Sequence, residues 1–196
     1  MSKIFCLMGK SSCGKDTIFK KLVDNNELEL KPIVLYTTRP KRANEIDGVE
    51  YHFINDEKLR EYEKLGKVIE VRKYNTVYGI WYYATIDDGQ FNFNNDNYIT
   101  IITLEAYQSL RKYFGQEYIY PIYIDMDDGV RLERALIRER NQSNPNYNEI
   151  CRRFLADDED FKIENLNSCN ITKYYLNYDL DKCINEIVVD IKSNIS

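Results

Sequence analysis

An α/β fold, with a five-stranded parallel sheet flanked by helices, is predicted by three features of the chain. Apolar runs of four to six residues alternate with longer segments of helical period, as crossover connections require. The first run, Ile4 to Met8, leads through a glycine-rich turn into a helix-like segment. The 196 residues, 43% hydrophobic and 13% aromatic, suffice for one well-buried core and at most one small inserted lobe.

The elements follow in order. Ile4 to Met8 reads as a strand, Thr17 to Val23 as a helix and Ile33 to Tyr36 as the second strand. From 38 to 83 the alternation lapses. Tyr51-His52-Phe53, Val68 to Tyr74 and Val77 to Tyr83 suggest short strands around one helix, Asp56 to Leu65, forming a small mixed α/β lobe inserted into the sheet domain. Alternation resumes with strand Tyr98 to Thr103, helix Leu104 to Phe114, strand Ile119 to Ile124 and helix Gly129 to Arg140. Asn141 to Asn146 is polar and contains Pro145, so it breaks what would otherwise be one long helix bearing arginines at both ends, as a mobile flap would. Helix Tyr147 to Leu166, strand Ile171 to Leu176 and helix Leu180 to Ile195 complete a single domain whose core is 1–37, 84–133 and 154–196. The Asn- and aromatic-rich FNFNNDNY at 91–98 suggests no mechanism.

A net charge of -5 and a pI near 5.1 provide no basic footprint for nucleic acid, so an anionic ligand has to be held by local Arg and Lys. Small phosphorylated ligands fit that requirement. The five cysteines, Cys6, Cys13, Cys151, Cys169 and Cys183, are odd in number and lack CxxC spacing, which argues against a disulfide framework or zinc site and for a reducing cytoplasm. No stretch approaches the roughly 18 apolar residues of a membrane span, and Ile4 to Met8 is too short for a signal-peptide core. A soluble cytoplasmic protein is expected.

The turn after the first strand lies within MGKSSCGKDTIFKKL, residues 8–22. It supplies Gly9, four intervening residues, Gly14 and Lys15, in the strand-to-helix setting of a P-loop. Glycines let backbone amides converge on an anion, the helix N-terminus adds partial positive charge, and the lysine reaches the outer phosphates. Gly9, Lys10, Ser11, Ser12, Cys13, Gly14, Lys15, Asp16 and Thr17 are therefore candidate donor-nucleotide residues. Asp16 stands where Ser or Thr is usual, but the Thr17 hydroxyl follows directly and can serve a phosphate or Mg²⁺. That arrangement resembles nucleoside monophosphate kinases more than motor or switch GTPases.

A second motif, TTRPKRANEIDGVEYHF at 37–53, resembles the guanylate kinase family, whose acceptor lobe carries TTRxxRxxExxGxxYxF. Thr37, Thr38, Arg39, Arg42, Glu45, Gly48, Tyr51 and Phe53 all match. Arg39 and Arg42 can bracket one phosphate while Tyr51 donates its hydroxyl. The resemblance implies a P-loop NTPase fold, an NMP-binding lobe at 38–83, and a lid at 134–153. It further implies that Glu70 accepts from the guanine ring NH and amino group, and that Tyr78 and Gly79 form the family's YG step, here one residue nearer than usual. Arg134, Arg138 and Arg140 before the break, and Arg152 and Arg153 after it, are similar to the lid arginines that close over ATP. Lys15, Arg39, Arg138, Arg140 and Arg152 are the implied catalytic set, and Asn177, near Asp179, joins the ATP site.

Some positions depart from the pattern. Leu35 stands where a serine usually touches guanine, Ile80 replaces the hydroxyl of YGS or YGT, and Thr103 occupies the first acid of DxDxxG, leaving Glu105. Thr103 and Glu105 remain candidate NMP-binding residues beside Arg39, Arg42, Tyr51, Glu70 and Tyr78. The expected activity is ATP- and Mg²⁺-dependent phosphorylation of a nucleoside monophosphate, GMP or dGMP first. Another NMP or a ribose bisphosphate as acceptor, and a non-catalytic guanylate-kinase-like binding module, are the alternatives. The expected partners are nucleotides, without nucleic acid or membrane, and the expected state is a monomer or homodimer.

Overall fold

In a computed structural model of the chain, which describes residues 2–42, 45–76 and 79–195, the first apolar run is β1, Ile4–Met8. Its side chains alternate between two cores, Ile4, Cys6 and Met8 entering one and Phe5 and Leu7 the other. A strand buried on both faces has to be central, and β1 is. The phosphate-loop turn then feeds α1, Lys15–Val23, which carries Asp16 in its first turn and Lys20 and Lys21 in its last, each complementing the helix dipole.

The chain continues through β2 (Leu30–Pro32), β3 (Tyr36–Thr37), β4 (His52–Phe53), α2 (Asp56–Lys64), β5 (Val68–Thr76) and β6 (Gly79–Ile86). Next come β7 (Asn97–Ile101), α3 (Leu104–Phe114), β8 (Ile119–Asp125), α4 (Asp128–Arg140), α5 (Tyr147–Asp160), α6 (Ile163–Ser168), β9 (Tyr174–Leu176) and α7 (Leu180–Ile195). The principal sheet is parallel, in the order β2-β7-β1-β8-β9. On one face α1 and α7 pack through Ile18, Leu22, Ile187 and Ile191; on the other α3 and α6 pack through Leu110 and Leu166.

The second sheet, β4-β3-β6-β5, is mixed: β3 and β4 run parallel, the other pairs antiparallel. Its outer face carries Tyr36, Ala84 and Ile86 onto Leu59 of α2. The opposite face, with Thr37, Tyr83, Thr85 and Glu70, looks into the cleft toward the principal sheet.

Three expected elements are corrected. The strand at Ile33 to Tyr36 is two pieces of two sheets: Ile33 still donates to Ile99 O at 2.9 Å beside β2, whereas Tyr36 pairs with His52 and Ala84. The run is apolar because Ile33 and Leu35 pack into the first core while Tyr36 enters the lobe's. The helix expected over Tyr147 to Leu166 breaks at Phe161-Lys162, after Asp157-Asp158-Glu159-Asp160, four carboxylates at the end where the helix dipole opposes them. The strand at Ile171 to Leu176 pairs only from Tyr174. The first residues of the expected strand Val77 to Tyr83, Tyr78 among them, lie outside the described residues. The FNFNNDNY segment acquires a role: Phe91 and Phe93 meet Phe114 at 4.8 and 5.0 Å between ring centroids, and Tyr98 Oη donates to Gln90 O at 3.1 Å, closing the loop before β7.

Candidate active site

The loop between β1 and α1 lies at the carboxyl edge of the parallel strands, where open α/β sheets bind ligands. Gly9 has φ +147°, and a Cβ there would overlap the carbonyl oxygen of Ile124 on β8. Ser12 (φ 63°) and Gly14 (φ 97°) are also left-handed, which turns successive amides toward one side as an anion nest. Asn177, just past β9 and 3% exposed, donates from Nδ2 to Cys13 O at 2.8 Å and fixes the loop from beneath. Lys15 Nζ donates to the carbonyls of Gly9 (2.6 Å) and Lys10 (2.8 Å). Burial pushes the Cys13 thiol up, against the opposing effect of the neighbouring Lys15 ammonium.

A cavity of about 520 Å³ is lined by Ser12, Gly14, Asp16, Thr17, Arg134, Arg138 and Asn177. A second, of about 620 Å³, brings Ser11 and Ser12 of the loop together with Arg42 of the lobe and Arg138 and Arg153 of the lid stems. The wall of the second cavity carries an ionic cluster centred on a buried arginine. Arg131, 1% exposed, donates to Asp128 Oδ1 from Nε (3.0 Å) and Nη2 (2.6 Å) and to Ser11 O from Nη1 (3.2 Å), and its guanidinium lies 4.8 Å from the Phe154 ring centroid. Asp157 accepts from Ser11 N at 2.7 Å, and Asp158 from Lys10 Nζ at 2.6 Å. The loop is thereby tied to both lid stems.

On the acceptor side Arg39, 4% exposed, is gripped by Glu45: Nη2 donates to Oε1 at 2.7 Å and Nη1 to Oε2 at 3.0 Å. Glu45 Oε2 also accepts from Arg42 N at 2.8 Å, so one carboxylate spaces the two arginines. The Arg39 hydrogen bond holds the Glu45 carboxyl below its ordinary range. Tyr51 and Phe53 rings lie 5.7 and 5.6 Å from the Arg39 guanidinium. Glu70 is buried on the cleft face of β5 and accepts from Thr85 Oγ1 at 2.7 Å. Thr103 caps α3, accepting from Ala106 N at 3.3 Å, and lines a cavity of about 540 Å³ with Glu105 and Arg72.

These features meet a family description across most of the chain. The guanylate kinase model, Guanylate_kin, matches residues 1–159. This chain belongs to the guanylate kinase family. The guanylate kinase of Mycoplasma mobile is 29% identical over 197 residues, covering 98% of this chain and 94% of its own. That of Mesomycoplasma hyopneumoniae strain 7448 is 26% identical over 202 residues, covering 100% of this chain and 96% of its own. The crystal structure of guanylate kinase from Anaplasma phagocytophilum aligns with a TM-score of 0.66 at 18% identity, covering 98% of this chain and 85% of that one, a likeness of fold.

Within this guanylate kinase framework the expected site residues divide. Ser11, Ser12, Gly14, Asp16 and Thr17 of the donor loop, with Asn177, Arg134, Arg138 and Arg42, line two cavities that have Ser12 and Arg138 in common. Lys15, Arg39, Tyr51, Glu70, Arg140 and Arg152 line neither of them; Arg152 is bonded to Glu149 through Nε (2.7 Å) and Nη2 (2.8 Å). Tyr78 lies outside the described residues. Thr17 is exposed in the first turn of α1. Sequence reasoning missed Arg131, Asp157, Asp158 and Arg72. Arg131 was detectable, because 131, 134 and 138 share one helix face. The two aspartates were not, since an acidic run ordinarily signals a solvated surface.

Proposed function

We propose that the chain transfers the terminal phosphoryl group of ATP to a nucleoside monophosphate, GMP or dGMP before others. The observation that carries this reading is the cavity in which Arg42 faces Ser11, Ser12 and Arg138, because transfer requires donor and acceptor phosphates in one cleft. In this reading the amides of Gly9 to Thr17 and Lys15 hold the donor phosphates, and Arg39, Arg42 and Tyr51 hold the acceptor phosphate. Glu70 reads the base, with Thr103 and Glu105 at its edge. Arg138, with Arg140 and Arg152 brought in by the lid, neutralises charge on the transferring group; no protein nucleophile is needed.

Mg²⁺ keeps several waters and binds chiefly through substrate phosphates, so it requires few protein ligands. The accessible Thr17 hydroxyl would contact it, and the ion would supply charge neutralisation at the phosphates. No helix among the described residues is long and apolar enough to cross a membrane. The test is ADP release from ATP across a panel of nucleoside monophosphates and ribose phosphates. Release dependent on GMP or dGMP is expected. Release with a ribose phosphate alone, or with no acceptor on the panel, would overturn the reading in favour of another acceptor or a binding module.

A further inference from the structure

The Glu70 carboxylate does not stand alone in the cleft. Its Oε2 accepts from Arg72 Nε at 3.0 Å, and its Oε1 from Arg72 Nη2 at 3.3 Å as well as from Thr85. Both side chains are withdrawn from water, Glu70 at 4% and Arg72 at 13% exposure. The register places them on the cleft face: Glu70 lies opposite Thr85 and Arg72 opposite Tyr83, which in turn lies opposite Thr37. The Tyr83 ring meets that of Tyr51 at 5.6 Å, and Tyr51 neighbours Arg39, so a continuous row of contacts joins the pair to the residues assigned to the acceptor phosphate. Arg72 spends two of its five N–H groups on Glu70; the other three have no protein partner among the described residues.

We propose that Arg72 is a specificity-determining residue, donating to the six-oxo group of a guanine-type base while Glu70 accepts from the ring NH and the exocyclic amine. The inference rests on the nucleotide-kinase reading above. That edge of guanine presents donor, donor, acceptor in sequence, so a lone carboxylate satisfies two positions and leaves the oxygen unpaired. Leu35 and Ile80 are apolar and supply no donor, whereas a guanidinium beside the carboxylate completes the complementary triplet. About four lone-pair sites on the carboxylate are available and three are occupied. The longer Nη2 contact therefore moves from Glu70 to the base oxygen as the base arrives. Adenine presents an amino group at that position and would meet a donor with a donor.

The test measures kcat and KM with ATP for GMP, inosine monophosphate and AMP in wild type, Arg72→Met and Arg72→Lys. Inosine monophosphate keeps the six-oxo group and the ring NH and lacks the amine, so it removes one of the two contacts assigned to Glu70; Arg72→Met in a Glu70→Gln background separates the two residues, a further loss for both oxo-nucleotides being expected and no further loss overturning the proposal. Arg72→Met is expected to lower kcat/KM about 10- to 100-fold for GMP and inosine monophosphate alike, mainly through KM, without lowering AMP use. Arg72→Lys, which keeps the charge on Glu70 and so protects the fold, is expected to show a smaller loss of the same pattern. A loss confined to GMP would make Arg72 a mere support for Glu70 and overturn the proposal, as would unchanged kinetics in both variants. A wild type inactive on both oxo-nucleotides but active on another acceptor would overturn the functional reading itself and this inference with it.

Discussion

Glu45 is matched to Arg39 with both carboxylate oxygens and is the carboxylate that neutralises the buried guanidinium, which also donates to Pro40 O at 2.8 Å. Truncating it strands a charge in a site with little water. Glu45→Ala is therefore expected to destabilise the fold by about 2 kcal/mol, read as a lower denaturant midpoint at unchanged slope, and to weaken acceptor binding more than ATP binding. Lys15 presents a different case. Among the described residues its ammonium bonds to loop carbonyls and Cys13, and removing it is expected to cost about 100-fold or more in phosphoryl transfer while the circular dichroism spectrum persists. Near wild-type turnover in Lys15→Ala would contradict the assignment of the loop. Both residues were legible in the sequence because their motifs are local. Glu70 was legible through the family resemblance, but its ion pair with Arg72, two positions along the same face of β5, was not, since a Glu and an Arg two apart on a strand ordinarily read as a solvated face.

The lid stems set the next scale. At the start of α5, hydrogen bonds from Arg152 and then Arg153 hold the Glu149 carboxyl near 2, against its ordinary value of 4.5. A depressed carboxylate contributes stability that is fully present above its unfolded value and is lost as pH falls, so this contribution fades between about 4.5 and 2. Carbon-detected titration of Glu149 is expected to show that low midpoint in the free protein. Its rise toward the ordinary range with both nucleotides bound would accompany transfer of Arg152 to the phosphoryl group; an unmoved midpoint would leave Arg152 tied to the helix throughout. At the other end of the site, Gly9→Ala forces a Cβ against the backbone of β8, which cannot yield as a flexible side chain would. A marked fall in Tm and loss of ATP binding are expected together. Gly9 was readable from spacing, but the break between α5 and α6 was not: the helical period continues across it, and only the accumulation of carboxylates at the C-terminus distinguishes the two pieces.

Across the whole molecule, the principal sheet could be read in advance because β1, β7 and β8 carry apolar side chains toward cores on both faces. The second sheet was less legible, because its short strands bury one face and line a cleft with the other, and β3 shares an apolar run with the exit from β2. The same layering sorts the thiols. Cys6, Cys13, Cys169 and Cys183 are buried, and Cys151 alone is exposed, on α5. Alkylation of the native protein is expected to modify Cys151 rapidly and the other four only on unfolding; fast labelling of Cys13 would contradict the buried phosphate loop. The chain thus carries a ready attachment point on the segment proposed to close over ATP. A fluorescent dye coupled there in one step, with no cysteine removed beforehand, turns lid motion into an optical signal and allows individual closing events to be timed during turnover.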